Sequence, residues 1–429
     1  MLRRSNWEKV KEKCQHYRRR RPASSGLYQV VNQFKEELEQ SWEIKYQPEY
    51  GYLREEVSQV LNSYLNCGLL EHGAARVYCD ECQYSLLVAY SCKKRGVCPS
   101  CSAKRAVIFA EHLYEEVLEE VSHRHIVFST PKRLRPYFKY NRKLNGILFR
   151  AAWQSVKEAF REEQQQQVGL ILTLQTAGEA LNWHPHLHGV ITDNHQLCEE
   201  ELEAVTKRFA ELVLLGLAKE ELITEDVMEQ ILSQEHSGFS VWVGEPFRDE
   251  ESEKFVARYI ERGALSLEKL SVQDDLVIYT TKDGKVREYE ALDFLALLTT
   301  HIPNNYESVT RYYGAYSSRV RGERAKILKS AQSEVDPNLT PIEVDSPPPR
   351  VSSTWAACIK RIYELNPLEC PRCKSEMRII AFLQDPKEIS KIIKSLRIEK
   401  ARAPPPLSRK SKIDDAYQFT DELPDYDAF

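Results

Sequence analysis

The chain has 429 residues, which is enough for two or three domains with a sizeable core. Its residues are 42% hydrophobic and 29% charged, as is typical of globular proteins, and no stretch is apolar enough for a signal peptide or a membrane span. We therefore expect a cytoplasmic protein with no membrane partner, and the net charge of −4 excludes a uniformly basic surface.

The first region of the chain, residues 1–120, is predicted to be mainly helical and to contain a metal-binding module. Apolar side chains recur at helical spacing in residues 28–34 and 57–65, and again in a helix predicted from residue 102 to 121. Between these helices, residues 79–101 hold two CxxC pairs. Helices are therefore expected to frame a metal site.

The two CxxC pairs are separated by fifteen residues, a spacing typical of structural zinc modules. Each pair places two thiolates on one tight turn, and two pairs complete a tetrahedral zinc site. Binding would also stabilise a segment that is too small to fold alone. We predict one structural Zn²⁺ held by Cys79, Cys82, Cys98 and Cys101.

The other cysteines leave several questions open. Cys92 lies between the two pairs and is either a spare thiol or a substitute ligand. A third pair, Cys370 and Cys373, has no partner pair, and even with Cys358 upstream a fourth ligand cannot be named, so a second zinc there is undecided. The remaining cysteines are predicted to be buried small hydrophobic residues: Cys14, Cys67 and Cys198.

The middle of the chain, residues 121–332, reads as a mixture of strands and helices. Strands are predicted at 125–131, 168–175 and 184–192, and the short turn between the last two predicts an antiparallel hairpin. Helices are predicted at 145–163, 199–215 and 253–262, and a β-meander at 271–292. Residues 333–400 form a proline-containing linker and a C-terminal CxxC segment, and residues 401–429 a disordered acidic tail.

Three histidines alternate in the second strand of that hairpin, at positions 184, 186 and 188. Alternate residues of a strand project to one face, so the three rings can converge on a metal ion or a phosphate. Three interpretations compete: a solvated strand face, a histidine-hydrophobic-histidine metal site for cutting single-stranded DNA, and the histidine triad of nucleotidyl hydrolases. The motif alone does not choose between them.

Basic side chains are grouped rather than spread evenly along the chain. Any one group taken alone is most simply a solvated surface, but local clusters of cations also bind the phosphates of nucleic acids. The candidates for contacts with DNA are Lys93, Lys94, Arg95, Lys132, Arg133 and Arg135.

Six sequence blocks, taken in order, resemble those of one family. They are residues 79–82, 91–101, 130–135, 180–188, 257–262 and 368–373. The chain resembles the rolling-circle insertion-sequence transposases of the IS91 type, including the common-region elements that carry one catalytic tyrosine. The resemblance implies an α+β fold: a HUH-nuclease antiparallel sheet flanked by helices, preceded by a helical zinc-knuckle module.

For the catalytic metal, the resemblance implies that His186 and His188 bind a divalent cation, Mg²⁺ or Mn²⁺, which polarises the scissile phosphate. Two histidines do not complete the ligand shell of a hard cation. Gln175, at the end of the neighbouring strand, is the candidate third ligand. His184 and the more distant His125 are its competitors.

For the nucleophile, the resemblance implies Tyr259, flanked by Arg258 and Arg262, which could hold phosphate and favour the phenolate. Family members with two tyrosines carry the other one four residues earlier, where this chain has Phe255. Tyr312 and Tyr313 form a rival pair, which we interpret as packing residues or DNA contacts.

The function implied is a transposase that nicks and rejoins single-stranded DNA at element ends through a 5′-phosphotyrosine intermediate. Its partners would be single-stranded or hairpin DNA at the transposon ends, target DNA and a second copy of the chain, in a nucleoid-associated location. Two alternatives stay open: a histidine-triad-like nucleotidyl hydrolase, and a zinc-dependent DNA-binding protein with an inactive nuclease domain.

Overall fold

The structure is a computed structural model that describes the following residues: 23, 25–159, 168–193, 199–234, 236–247, 256–257, 259–261, 263–281, 284–333 (with side chains to 327) and 368–398. Several predictions fall outside these residues: the predicted disorder of 401–429, the linker before residue 368, and the placement of Cys14, Cys198, Phe255, Arg258, Arg262 and Cys358. Within the described part of the chain, no helix has both the length and the apolar character needed to cross a membrane.

The described part of the chain contains both helices and strands. The helices are α1 (Gly26–Lys45), α2 (Gln47–Tyr50), α3 (Glu55–Leu65), α4 (Pro99–His112), α5 (Arg135–Tyr140), α6 (Asn145–Ala159), α7 (Glu199–Lys219), α8 (Glu225–Leu232), α9 (Ala291–Thr299), α10 (Ser318–Ser333) and α11 (Pro386–Ser395). The strands are β1 (Ala74–Tyr78), β2 (Ser85–Ala89), β3 (His123–Ser129), β4 (Gly169–Ala177), β5 (Trp183–Thr192), β6 (Ser240–Pro246), β7 (Leu270–Gln273), β8 (Leu276–Thr280), β9 (Val286–Glu290), β10 (Thr310–Gly314) and β11 (Arg378–Leu383).

The strands form three sheets, and all their pairings are antiparallel. The central sheet has the order β10-β4-β5-β3-β6, the second β11-β1-β2, and the third β7-β8-β9. The α+β class, the β4–β5 hairpin and the β-meander are therefore confirmed. The second sheet was not expected, because β11 comes from the far end of the chain.

The central sheet has one apolar face and one polar face. Leu172, Leu187 and Ile191 belong to the buried cluster that packs against α6 and α7, with Phe149 and Phe209 on those helices. Burying each such side chain stabilises the fold by about 1.5–3 kcal/mol. Because side chains alternate along a strand, the residues between them project to the other face, where the histidines lie.

The N-terminal helices α1 and α3 do not form a separate core. They pack in one buried cluster with α9 and residues of β8, and Tyr46 Oη donates a 2.6 Å hydrogen bond to Asp293 on α9. Residues that are far apart in sequence therefore stabilise the same region, which also contains Cys67, Cys98 and Cys101.

One helix boundary differs from its prediction. The helix expected from residue 102 begins at Pro99, because Cys98 is an extended N-cap residue and proline suits the first helical position. The α-helix ends at His112 and continues as a single π-helical turn, Leu113–Val117. As a result Cys101 lies in the first turn of α4.

We expect Gly189→Ala to destabilise the protein, because an added Cβ on β5 would lie 2.4 Å from the carbonyl oxygen of Ile171 on β4. Overpacking of this kind costs about 1–3 kcal/mol, which a urea unfolding curve would measure. Gly322→Ala is the matched control: it lies in α10, and its Cβ would meet no atom within 4 Å. Equal stability of the two variants would contradict the close β4–β5 approach.

Candidate active site and cysteine clusters

Tyr259 lies on a short helical turn over the polar face of the central sheet. Its ring centroid is 5.4 Å from that of His188 and 6.1 Å from that of His125, and it meets both rings edge-on. The side chain is half-buried. The structure therefore brings together a tyrosine and two histidines from distant parts of the sequence.

The strand register places the other candidates beside Tyr259. His186 on β5 lies opposite Gln175 on β4 and opposite Ser129 on β3. The ring centroids of His184, His186 and His188 follow one another at 4.8 Å intervals, on one face as predicted.

His186 is oriented so that one ring nitrogen is left as a ligand. Its Nδ1 lies 2.7 Å from the carbonyl oxygen of His184, and since a carbonyl only accepts, Nδ1 carries the proton. The unprotonated Nε2 is then the atom available to a cation. Burial lowers the pKa of His186, and burial together with nearby positive charge lowers the pKa of His184 to about 4, so both rings are neutral at pH 7.

His125 supports His188 from β3. Its Nε2 lies 3.0 Å from His188 Nδ1, and the two rings are stacked with their centroids 5.2 Å apart. Burial lowers the pKa of His125 to about 4, so this ring also stays neutral. The contact orients His188, and it fits an outer, positioning role for His125 better than direct coordination.

Gln175 contacts the turn that carries Tyr259. Its Nε2 donates hydrogen bonds to the backbone oxygens of Tyr259, at 3.1 Å, and of Ile260, at 3.0 Å. With the amide nitrogen used in this way, Oε1 is the atom that could coordinate a cation. Gln175 thus touches the candidate nucleophile's backbone and lies opposite His186.

Histidines alone do not form a metal cage here. Among the described residues, the groups that bring three or more His, Cys, Asp or Glu ligand atoms within 4.8 Å of one another consist of cysteines. A cation at His186 and His188 would therefore need an amide oxygen, water or phosphate to complete its shell, and the donor set present fits that requirement.

A cleft of about 370 Å³ lies beside these residues. Gln175, His186 and Tyr259 line it, together with the basic residues Arg105 and Lys269. The basic residues of this lining suit a phosphate-containing ligand.

Arg95, predicted to contact DNA, forms an ion pair in this cleft. Its Nη2 lies 2.8 Å from Oε1 of Glu261, a side chain that is only 4% exposed and lies two residues after Tyr259. Burial raises the pKa of Glu261, while Arg95 and Arg105 act in the opposite direction. Arg95 thus links the cysteine-rich region to the turn that carries Tyr259.

The other predicted DNA contacts lie outside this ion pair. Lys93, Lys132 and Arg133 are exposed, and Lys94 is half-buried. Arg135 is half-buried, and its Nε donates a 3.4 Å hydrogen bond to the carbonyl oxygen of Thr130.

The described cysteines form two groups of four. One group is Cys67, Cys92, Cys98 and Cys101; the other is Cys79, Cys82, Cys370 and Cys373. The prediction that Cys79, Cys82, Cys98 and Cys101 share one ion is therefore wrong. Cys67 is a member of a cluster that could hold a metal ion rather than an isolated hydrophobic residue, and Cys92 lies in the same cluster, which favours the alternative of a substitute ligand over that of a spare thiol.

The reason is the hairpin between the two CxxC pairs. Cys79 and Cys82 lie in its turn, whereas Cys92 follows β2 at the opposite end, beyond a five-residue strand. Such a strand spans about 16 Å, too far for the two pairs to share an ion. Cys67 precedes β1 at the same end as Cys92, where the Gly68 amide donates to the Tyr90 carbonyl.

The sulfur positions of the first group suit a tetrahedral ion. Cys101 Sγ is 3.7 Å from Cys67 Sγ and 3.5 Å from Cys92 Sγ, and Cys98 Sγ is 3.7 Å from Cys67 Sγ. Four sulfurs about 2.3 Å from one zinc lie about 3.8 Å apart. Cys98 and Cys101 are at the N-terminus of α4, where the helix dipole favours thiolates.

Comparison with known proteins identifies the family. The family described as "Transposase zinc-binding domain", of the IS91 type, matches residues 31–130, and the family described as "Putative transposase" matches residues 169–324. The chain belongs to the IS91-type transposases.

Two transposases from bacteria are similar along most of their length. The transposase for insertion sequence element IS801 of Pseudomonas savastanoi pv. phaseolicola is 25% identical, over 77% of this chain and 84% of the relative. The putative transposase y4qJ of Sinorhizobium fredii is also 25% identical, over 57% of this chain and 71% of the relative. No solved structure gives a significant match.

The two matched regions contain different candidate residues of the transposase. The first cysteine group lies within the zinc-binding match, which supports a structural zinc there, and Gln175, His186, His188 and Tyr259 lie within the second match. Cys370 and Cys373 lie outside both.

Sequence reasoning missed Cys67 and Glu261 as site residues. A count could have found Cys67: three CxxC pairs and Cys92 give seven thiols, so two four-thiolate sites need one more. Glu261 gives no such signal, because its burial against Arg95 is a tertiary property.

We expect Cys67→Ala to remove one zinc ion per chain from the purified transposase, because three thiolates remain of a four-thiolate site. Zinc content measured by elemental analysis checks this. Cys358→Ala is the control and should retain the full content. An unchanged zinc content in Cys67→Ala would show that Cys67 is a buried hydrophobic residue and not a zinc ligand.

Proposed function

We propose that this transposase nicks and rejoins single-stranded DNA at the ends of its element through a 5′-phosphotyrosine intermediate on Tyr259. The observation that carries the proposal is the contact between the rings of Tyr259 and His188 beside a basic cleft. A tyrosine hydroxyl, imidazole rings and a space large enough for a phosphate group then lie together, as strand cleavage requires.

In the cleavage step, Tyr259 Oη forms a bond to the scissile phosphorus and the phosphorus–O3′ bond breaks. The tyrosine proton passes to a base or to water, and the departing O3′ takes up a proton to leave a free 3′-OH. The phosphotyrosine retains the energy of the broken ester, so attack by a 3′-OH re-forms a DNA bond and releases Tyr259.

The residues around Tyr259 have separate roles in this proposal. His186, His188 and Gln175 would hold Mg²⁺ or Mn²⁺, which supplies polarisation of the scissile phosphate when bound. His125 fixes the orientation of His188, and Gln175 fastens the Tyr259 turn to β4.

The DNA would enter along the basic side of the cleft. Arg105 and Lys269 lie at its lining. The exposed Lys93, Lys132 and Arg133, with the half-buried Lys94 and Arg135, would extend this surface. Arg258 and Arg262 are proposed to hold the phosphate next to the nucleophile, and the partners would be single-stranded or hairpin element ends, target DNA and a second protomer.

The first test is the covalent adduct. Wild-type protein incubated with labelled single-stranded element ends and Mn²⁺ should give a slow-migrating protein–DNA band on a denaturing gel, and Tyr259→Phe should give none. Tyr312→Phe is a matched control, because Tyr312 is a half-buried tyrosine whose ring stacks with Arg321 at 5.3 Å. An adduct that persists in Tyr259→Phe would contradict the proposed nucleophile.

The second test addresses the cation. EDTA, or the double change His186→Ala and His188→Ala, should remove the adduct while single-stranded DNA binding is retained, since the basic surface is unaltered. Full adduct formation in EDTA would remove the metal from the proposal. Cleavage of nucleoside phosphoramidates through a phosphohistidine, with no DNA adduct, would favour the histidine-triad alternative.

The third test separates the two roles of Gln175. Gln175→Glu keeps an oxygen for the cation but loses the two donated hydrogen bonds. Gln175→Ala loses the oxygen as well as the two hydrogen bonds. We expect adduct formation to fall about 10–100-fold in Gln175→Ala. If coordination is the main role, Gln175→Glu at raised Mn²⁺ recovers most of the rate; if the backbone contact is the main role, it does not recover. Wild-type rates in both variants would exclude both roles.

A further inference from the structure

We propose that Cys79, Cys82, Cys370 and Cys373 bind a second structural zinc ion, which fastens the C-terminal segment 368–398 to the N-terminal module. The site joins two parts of the chain whose closest cysteines are 288 residues apart in sequence. It lies partly outside the region matched as a zinc-binding domain, and the proposal is independent of the nuclease chemistry.

The sulfur positions support coordination. Cys79 Sγ is 3.5 Å from Cys373 Sγ, Cys82 Sγ is 3.4 Å from Cys370 Sγ, and all four sulfurs lie within 4.8 Å of one another. These separations are far longer than the 2.05 Å of a disulfide and close to the sulfur–sulfur spacing around one tetrahedral zinc.

The two CxxC turns have the same backbone conformation. The amide of Cys79 donates to the carbonyl of Tyr84, and the amide of Cys370 donates to the carbonyl of Ser375, both at 2.8 Å and both across five residues. The residue after the second cysteine is left-handed in each turn: Gln83 has φ 59° and Lys374 has φ 66°. Two matched turns that present their thiols to each other form a zinc ribbon.

Hydrophobic burial alone does not explain this cluster. Cys79 and Cys370 are fully buried, but Cys82 is half-buried and Cys373 is exposed. An exposed thiol gains little from packing, whereas a metal ion uses all four sulfurs equally.

The same segment is attached to the module by strand pairing. β11 pairs with β1 along its length, from Ala74 opposite Leu383 to Tyr78 opposite Arg378. At the far end of this pairing, Ile389 and Ile393 of α11 join a small buried cluster with Leu70. The proposed ion lies at the opposite end of the sheet, so the segment is held at both ends.

A segment of this size is stabilised by a metal ion that joins it to a larger part of the protein. The described residues 368–398 have one short strand and one helix, which are too few to bury a core of their own. The Arg378–Asp80 ion pair, at 2.7 Å, also joins the segment to the module, but it is exposed, and exposed pairs stabilise weakly. Metal binding is therefore expected to add to the strand pairing and the buried contacts that hold the segment against the module.

The two cysteine groups are separated by the length of the β1–β2 hairpin, so their ions should be lost independently. Independent loss of the two ions would distinguish two separate sites from a single shared site. To exclude zinc bound by histidines, all variants carry His186→Ala and His188→Ala. The full chain is purified with zinc, freed of loosely bound metal by dialysis, and analysed for zinc per protein.

We expect two zinc ions per chain in that background and one ion after Cys370→Ser with Cys373→Ser. Cys98→Ser should also leave one, and Cys79→Ser combined with Cys98→Ser should leave none. Cys358→Ser should keep two. Full zinc content in the Cys370→Ser, Cys373→Ser variant, or equal content in Cys98→Ser and the Cys79→Ser, Cys98→Ser variant, would overturn the proposal.

Two further measurements distinguish loss of the second ion from misfolding of the variant. Loss of the second ion should raise amide hydrogen exchange in residues 378–383 while β4 and β5 keep the protection of the parent protein. In the unsubstituted chain, titration with a thiol reagent should release two zinc ions, each with four thiols. Release of one ion per chain, or unchanged protection of residues 378–383 after zinc loss, would contradict the fastening role.

Discussion

The antiparallel register of β5 with β4 and β3 determines where every candidate catalytic side chain of the sheet lies. It puts His186 opposite Gln175 and sends His125 toward His188. A shift of one residue would turn all of these side chains toward the apolar helices. Close packing prevents such a shift, because Gly189 lets β5 approach the Ile171 carbonyl more closely than any other residue would allow.

A second constraint connects the cysteine-rich region with the turn that carries Tyr259. Cys92 and Cys98 belong to the first cysteine group, and Arg95 lies on the loop between them. Arg95 forms an ion pair with the buried Glu261, which lies two positions after Tyr259. Gln175 on β4 donates a hydrogen bond to the backbone of the same turn. The zinc module thus contributes to the position of the Tyr259 turn as well as to its own folding.

Local patterns predicted three of the five strands of the central sheet, β3, β4 and β5, but not its edge strands β6 and β10. The β4–β5 hairpin, the histidine face and the β-meander follow from alternation and turns, which depend on neighbouring residues. Tyr259 could be named only through family resemblance, since one tyrosine among 22 carries no local signal. The grouping of Cys79 with Cys370 and the bonds of Gln175 to the Tyr259 turn were out of reach, because spacing in sequence does not report contacts between distant segments.

The separation of the cysteine pairs in sequence sets an order of assembly during synthesis. The first group is complete once residue 101 has left the ribosome, but Cys79 and Cys82 meet their partners only after residue 373 has been made. For most of translation these two thiols therefore lack their final neighbours. A prematurely terminated transposase would contain the whole histidine and tyrosine site and yet lack β11 at the edge of β1, leaving an unpaired strand edge open to other chains.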